Sequence, residues 1–108
     1  MKFLLGLALL VSMTNTVLAD EMKMYELRIK NHKFDNEALQ VVANQKFKLK
    51  IINEDPSSEE FESLSMIVEK FIGPKKSITV TIGPLKPGTY DYFGEFHAST
   101  CKGKLTAK

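Results

Sequence analysis

The feature that most constrains this chain is two-residue alternation in short runs. In "KFKLKIIN", residues 46–53, Phe47, Leu49 and Ile51 fall on one side of an extended backbone and Lys46, Lys48 and Lys50 on the other. Successive side chains of a strand point to opposite faces, so this is a half-buried strand with a wet lysine row. "MYELRIK" (24–30), "ALQVV" (38–42), "SITVTIG" (77–83), "TYDYFGEF" (89–96) and "GKLTA" (103–107) also read as strands. Between them lie turn residues: Ala43-Asn44-Gln45 as a tight connection, "NEDPSS" with Pro56, and "PLKPG" with Pro84, Pro87 and Gly88. The segment "EEFESLSMIVEKFIG" (59–73) fits a short helix or a pair of strands. Six or seven short strands with turn signals between them predict an all-β sandwich or small barrel.

The chain opens "MKFLLGLALLVSMTNTVLADEMK". Lys2 precedes an apolar run from Phe3 to Val11, and Val17-Leu18-Ala19 places small residues where a signal peptidase reads. The run is too short to span a bilayer, so residues 1–19 are predicted to be a cleaved signal peptide and 20–108 the mature domain, exported to the periplasm. No other apolar run could cross a membrane, so no span is expected after cleavage. The mature chain is short enough for one domain with a modest core, expected as a monomer or weak dimer.

Fifteen basic and thirteen acidic side chains give a formal charge of +2, and loss of Lys2 with the signal leaves +1. There is no dense basic patch for a phosphate backbone, so no nucleic-acid partner is expected. The one cysteine, Cys101, excludes an internal disulfide. No nucleotide-binding glycine motif, His-Glu-x-x-His pair or nucleophile elbow is present, and two histidines offer little acid–base chemistry. A triad enzyme is therefore not expected.

Several residues could hold a cation. Glu59, Glu60 and Glu62 crowd beside the proline turn; on a strand, Glu60 and Glu62 share a face while Glu59 points the other way with Phe61, a core residue. Such a carboxylate pair suits a hard ion. Asp91 and Glu95 share a face with Phe93, the outer one, because Tyr90 and Tyr92 suit the inner. Glu95 is near His97 and of the same parity, so a site using both is permitted. Imidazole suits first-row transition ions, and a Cys101 thiolate suits copper(I). Gly94, inside a strand, permits a bulge or the close approach of another group. Each has a plain reading beside it: solvated acids, a surface His32, a His97 bonded to backbone, and a buried, inert Cys101.

The stretches "FKLKIINED", "EEFES", "VEKFIGPKKSITVTIGPLKPGTYDYFGEFH" and "KGKL" cover nearly all of the mature chain. With the pattern "LKPGTYDY" ahead of a histidine, they resemble the small periplasmic cupredoxin-like domains, closest to the iron-uptake branch that includes the cupredoxin domain of EfeO-type proteins. The resemblance implies a Greek-key β-sandwich, here with a short helical or irregular segment, and a metal site at one end. It places the early histidine position of a blue-copper site at or beside Glu59, the cysteine position at Gly94, the second histidine at His97 and a weak axial position at Cys101. The usual thiolate and first imidazole are thus missing. Cysteines that some members of the branch carry appear here as Phe34 and Gly94. The branch implies carboxylates around the metal end, with Glu60, Glu62 and Asp91 in those positions. In this fold the "KNHKFD" region can approach that end, which makes His32 a candidate second imidazole.

The sequence thus supports two functions. The first is a periplasmic protein binding an iron or copper ion through carboxylate and imidazole, with no type 1 blue-copper site. It would serve metal uptake, with electron transfer as an option and ferroxidase-like turnover only as an extension, and its partner would be an envelope iron- or copper-uptake component. The second is a metal-free module of the same fold that binds an envelope protein.

Overall fold

Burial follows the alternation along the strand of residues 47–53: Phe47, Leu49, Ile51 and Asn53 are buried, and the residues between them are exposed or half-buried. The computed structural model describes residues 22–108, so the expected signal peptide lies outside the described residues. Among the described residues nine strands form, in order β1 (Met24–Lys30), β2 (Lys33–Phe34), β3 (Ala38–Val41), β4 (Phe47–Asn53), β5 (Glu59–Ser63), β6 (Val68–Ile72), β7 (Ser77–Ile82), β8 (Gly88–Gly94) and β9 (Lys102–Ala107). One sheet runs β2-β1-β4-β7 and the other β3-β9-β8-β5-β6. The expected all-β sandwich is what forms.

Connections cross between the sheets. β1 pairs in parallel with β4, and β3 in parallel with β9. The short Ala43-Asn44-Gln45 connection therefore carries the chain from one sheet to the other and closes no hairpin. Leu27, Ile29, Leu49 and Ile51 from the first sheet meet Phe61, Ile72, Tyr92 and Leu105 from the second, all fully or almost fully buried. Each such side chain contributes roughly 1.5–3 kcal/mol by leaving water. Phe34, Phe61 and Tyr92 pack ring to ring, with centroids 5.1–6.1 Å apart. A Cβ at Gly103 would lie 2.6 Å from the Tyr92 ring, so glycine is required opposite this tyrosine.

Two local expectations resolve here. Residues 59–73 form a hairpin of two strands, not a helix, with Glu62 directly opposite Glu69 and Glu60 opposite Phe71. The physical reason is pairing: β5 lies between β6 and β8 and buries Glu59, Phe61 and Ser63. The late strand stops at Gly94, and Glu95–His97 turns as a short 3-10 segment. Glu95 and His97 are therefore not successive residues of one strand face.

Candidate functional site

β5 divides the chemistry between its two faces. On the inner face Glu59 is 1 % exposed. Its Oε1 accepts the backbone N–H groups of Glu60 (2.9 Å) and Phe96 (2.8 Å), and its Oε2 accepts Nδ1–H of His97 at 2.6 Å. Three donors satisfy a carboxylate that would otherwise be costly to bury. The 3-10 turn supplies two of them, because leaving the strand at Gly94 aims both Phe96 N–H and the His97 ring back at β5.

Gly94 makes that approach possible. A Cβ there would meet Glu59 Cδ at 2.6 Å, its Oε2 at 2.8 Å and Cys101 Sγ at 2.9 Å. Cys101 is fully buried, and its N–H bonds to the His97 carbonyl. Burial, reinforced by the nearby Glu59 charge, pushes its thiol up to about 12. The thiol is therefore protonated and unreactive at neutral pH.

His32 reaches the same end. Its ring stacks on that of His97 with centroids 3.5 Å apart and planes 11° apart. Asn31 and His32 both have left-handed backbones, with φ of 52° and 58°. Their N–H groups both point at Asp55, whose two oxygens accept them at 2.7 and 2.9 Å. Burial works against the ionised Asp55, but those two N–H groups and the neighbouring imidazoles outweigh it, so its pKa is lowered. Parallel stacked rings keep their in-plane lone pairs in separate planes. His32 and His97 therefore stand as a stacked pair at this end of the sandwich.

On the outer face of β5 the carboxylates of Glu60, Glu69 and Glu95 converge, with one oxygen of each within 4.8 Å of the others. Glu60 is half-buried, and its Oε1 is shielded from water with no hydrogen-bond partner. Its pKa is raised to about 7, first by the neighbouring Glu69 carboxylate, then by burial and by Glu95. Burial and Glu95 also raise Glu62, which sits beside the group. Among the described residues no lysine, arginine or histidine forms an ion pair with any of these four acids. The arrangement is a surface carboxylate cluster able to chelate a metal ion.

The sequence candidates thus separate. Glu60, Glu62 and Glu95 gather outside; Glu59, His97, His32 and Cys101 gather inside. Asp91 is exposed on the outer side of β8, across from Lys104 and apart from the Glu60 group. Pairing of Glu95 with His97 does not occur, because the 3-10 turn sends them to opposite sides of β5. Two residues were missed. Glu69 becomes visible only with the hairpin register, although "EEFES" and "VEK" carried the signal once read as paired strands. Asp55, in the "NEDP" turn, had the signal of an acid before proline.

A family model for the cupredoxin-like domain matches residues 2–107. The chain belongs to the cupredoxin-like domain family. An uncharacterized protein of Rickettsia prowazekii (strain Madrid E) is 40 % identical over 84 residues, covering 78 % of this chain and 67 % of that one. Among solved structures, this cupredoxin-like domain is similar to auracyanin A, a blue copper protein from Chloroflexus aurantiacus. The TM-score is 0.69 at 17 % identity, over 79 % of this chain and 98 % of auracyanin A. It is also similar to auracyanin from Roseiflexus castenholzii, with a TM-score of 0.67 at 16 % identity, over 80 % and 97 % of the two chains. At such identities the likeness is one of fold. Among the described residues no helix is long and apolar enough to cross a membrane.

Proposed function

We propose that this cupredoxin-like protein handles metal in the periplasm, taking an iron or copper(II) ion into the carboxylates of Glu60, Glu69 and Glu95 and passing it to an envelope uptake component by ligand exchange. The carrying observation is the convergence of those three side chains within 4.8 Å, with no ion pair to any of them among the described residues. Oxygen donors favour hard and borderline ions over copper(I). Surface placement suits exchange, since donor and acceptor proteins can both reach the ion. This refines the expected ligand set: Glu60 and Glu95 stay, Glu69 joins, Glu62 stands adjacent, and Glu59 is taken up inside. His97 is tied to Glu59 through Nδ1, a separate imidazole at the loop end.

The inner end does not suit the thiolate–copper centre of a blue-copper protein. Gly94 offers no donor, the space beside it is filled by Glu59, and the Cys101 thiol is held protonated. Resemblance to the iron-uptake branch supports the uptake role. The test is titration of the metal-free protein with iron(II), iron(III), copper(II) and zinc(II), followed by elemental analysis. Saturable binding that a Glu60→Gln/Glu69→Gln variant loses is expected. Absence of saturable binding at about micromolar ion, or an intense copper–sulfur colour, would overturn the reading.

A second reading, a metal-free module for an envelope partner, is favoured by one observation. Phe71 and Phe96 are exposed at this same end and pack edge to face, with centroids 6.4 Å apart.

A further inference from the structure

The β5–β6 hairpin exposes apolar side chains that serve no ion. At its tip Leu64 is 77 % and Ile67 91 % exposed; at its other end Phe71 is 61 % exposed, beside Phe96 of the neighbouring 3-10 turn at 49 %. Large apolar residues gathered on one surface mark an interaction site more often than isolated ones do. Ile67 is the most telling. Its φ is +57°, a left-handed backbone that a β-branched residue adopts only at a cost. Asparagine or glycine would sit there without strain, and the isoleucine, 91 % exposed, gains little packing among the described residues to compensate. Strain retained at an exposed apolar residue points to a use outside the chain itself.

Between the two apolar ends lie the acids. Glu62 and Glu69 face each other across the hairpin, Glu60 and Glu95 adjoin them, and among the described residues no basic side chain pairs with them. From Ile67 to Phe71 is four strand residues, about 13 Å. β6 is also an edge strand, with no strand beyond it among the described residues. Lys70 is on the opposite face of β6 from Glu69 and Phe71.

We propose that this hairpin is a docking surface for a cationic segment of another protein, one with lysine or arginine at its centre and an apolar side chain on either side about 13 Å apart. The central cations enter the carboxylate cluster, while the flanking apolar groups cover Ile67 and Leu64 at one end and Phe71 and Phe96 at the other. The charge complementarity is specific, since the side chains between the two apolar ends are carboxylates and a neutral or acidic segment would leave them unpaired. Extended strands that lie beside an exposed sheet edge bind in this manner. The inference goes beyond metal handling and gives the partner-binding reading its chemistry.

The test uses the full chain and a synthetic peptide, acetyl-Leu-Lys-Arg-Lys-Phe-amide, alongside one with serine in place of both apolar residues and one with glutamate in place of the basic ones. Amide chemical shifts should move at residues 60–71 and 95–96. The first peptide should bind at least about tenfold more tightly than either control. Ile67→Asn should weaken binding about tenfold while raising thermal stability, and Phe71→Ser should weaken it comparably. Equal binding of the serine peptide would reduce the surface to plain charge attraction and overturn the proposal. So would shifts confined to another face, unchanged affinity in Ile67→Asn and Phe71→Ser, or self-association that Ile67→Asn abolishes, which would make the occupant a second copy. Both variants keep every carboxylate, so a metal titration of the same proteins separates the two readings: either binding event can fail while the other persists.

Discussion

Glu59 is the residue on which the inner end depends. It is buried, accepts three hydrogen bonds, and occupies space that only a glycine at position 94 leaves open. Glu59→Ala should cost about 3 kcal/mol in urea unfolding, by leaving two backbone N–H groups and the His97 ring unpaired. Gly94→Ala should cost about 2 kcal/mol through overpacking. The double variant should lose less than the sum, because the added methyl occupies the space the carboxylate vacates; strict additivity would show that the two do not touch. At Asp55 the sign of the pH dependence is fixed. Its folded pKa is lowered, so its contribution is present above the unfolded value of about 3.9 and is lost as pH falls through the folded one. Asp55→Asn should therefore destabilise by about 1–3 kcal/mol near neutral pH, with the gap closing in strong acid.

At the scale of the element, the β5–β6 hairpin carries two local conflicts, like charges across the strands and an isoleucine with positive φ. Neither helps the isolated chain fold. Glu60 has a raised folded pKa of about 7, so the penalty of ionising it is absent below the unfolded value of about 4.3 and complete above about 7. Glu60→Gln should accordingly raise the melting temperature at about pH 8 and leave it unchanged at about pH 4. An equal effect at both values would mean that the neighbouring carboxylates do not raise the Glu60 pKa. Ile67→Asn should stabilise by about 1 kcal/mol in the absence of any partner.

For the whole molecule, the sandwich is a rigid support that sets two chemistries back to back on one strand. Metal binding at the outer cluster should raise stability by mass action, about 2.7 kcal/mol at an ion concentration about one hundred times Kd. That gain, read from the melting temperature, should be present near neutral pH and vanish at about pH 4, where protons compete for the same oxygens. The inner end should stay inert throughout: Cys101 should resist alkylation in the native protein and react only after unfolding.

Alternation alone determined most of the strands and the core residues Phe47, Leu49, Ile51 and Phe61, and it put Glu60 and Glu62 on one face only on condition that their segment is a strand. These follow from a local property, the two-residue period of an extended chain. It could not choose between helix and hairpin for residues 59–73, because fifteen residues of mixed acid and apolar pattern satisfy both periods. Nor could it tell that Glu95 and His97 part company, since a strand and a 3-10 turn differ there only by where pairing stops. Tertiary structure decided those points. Strand register put Glu69 beside Glu60, the turn after Gly94 sent His97 inward to Glu59, and the paired left-handed backbone at Asn31 and His32 set one imidazole on the other. Contacts between residues distant in the chain depend on how strands pair, and no short stretch of sequence contains that information.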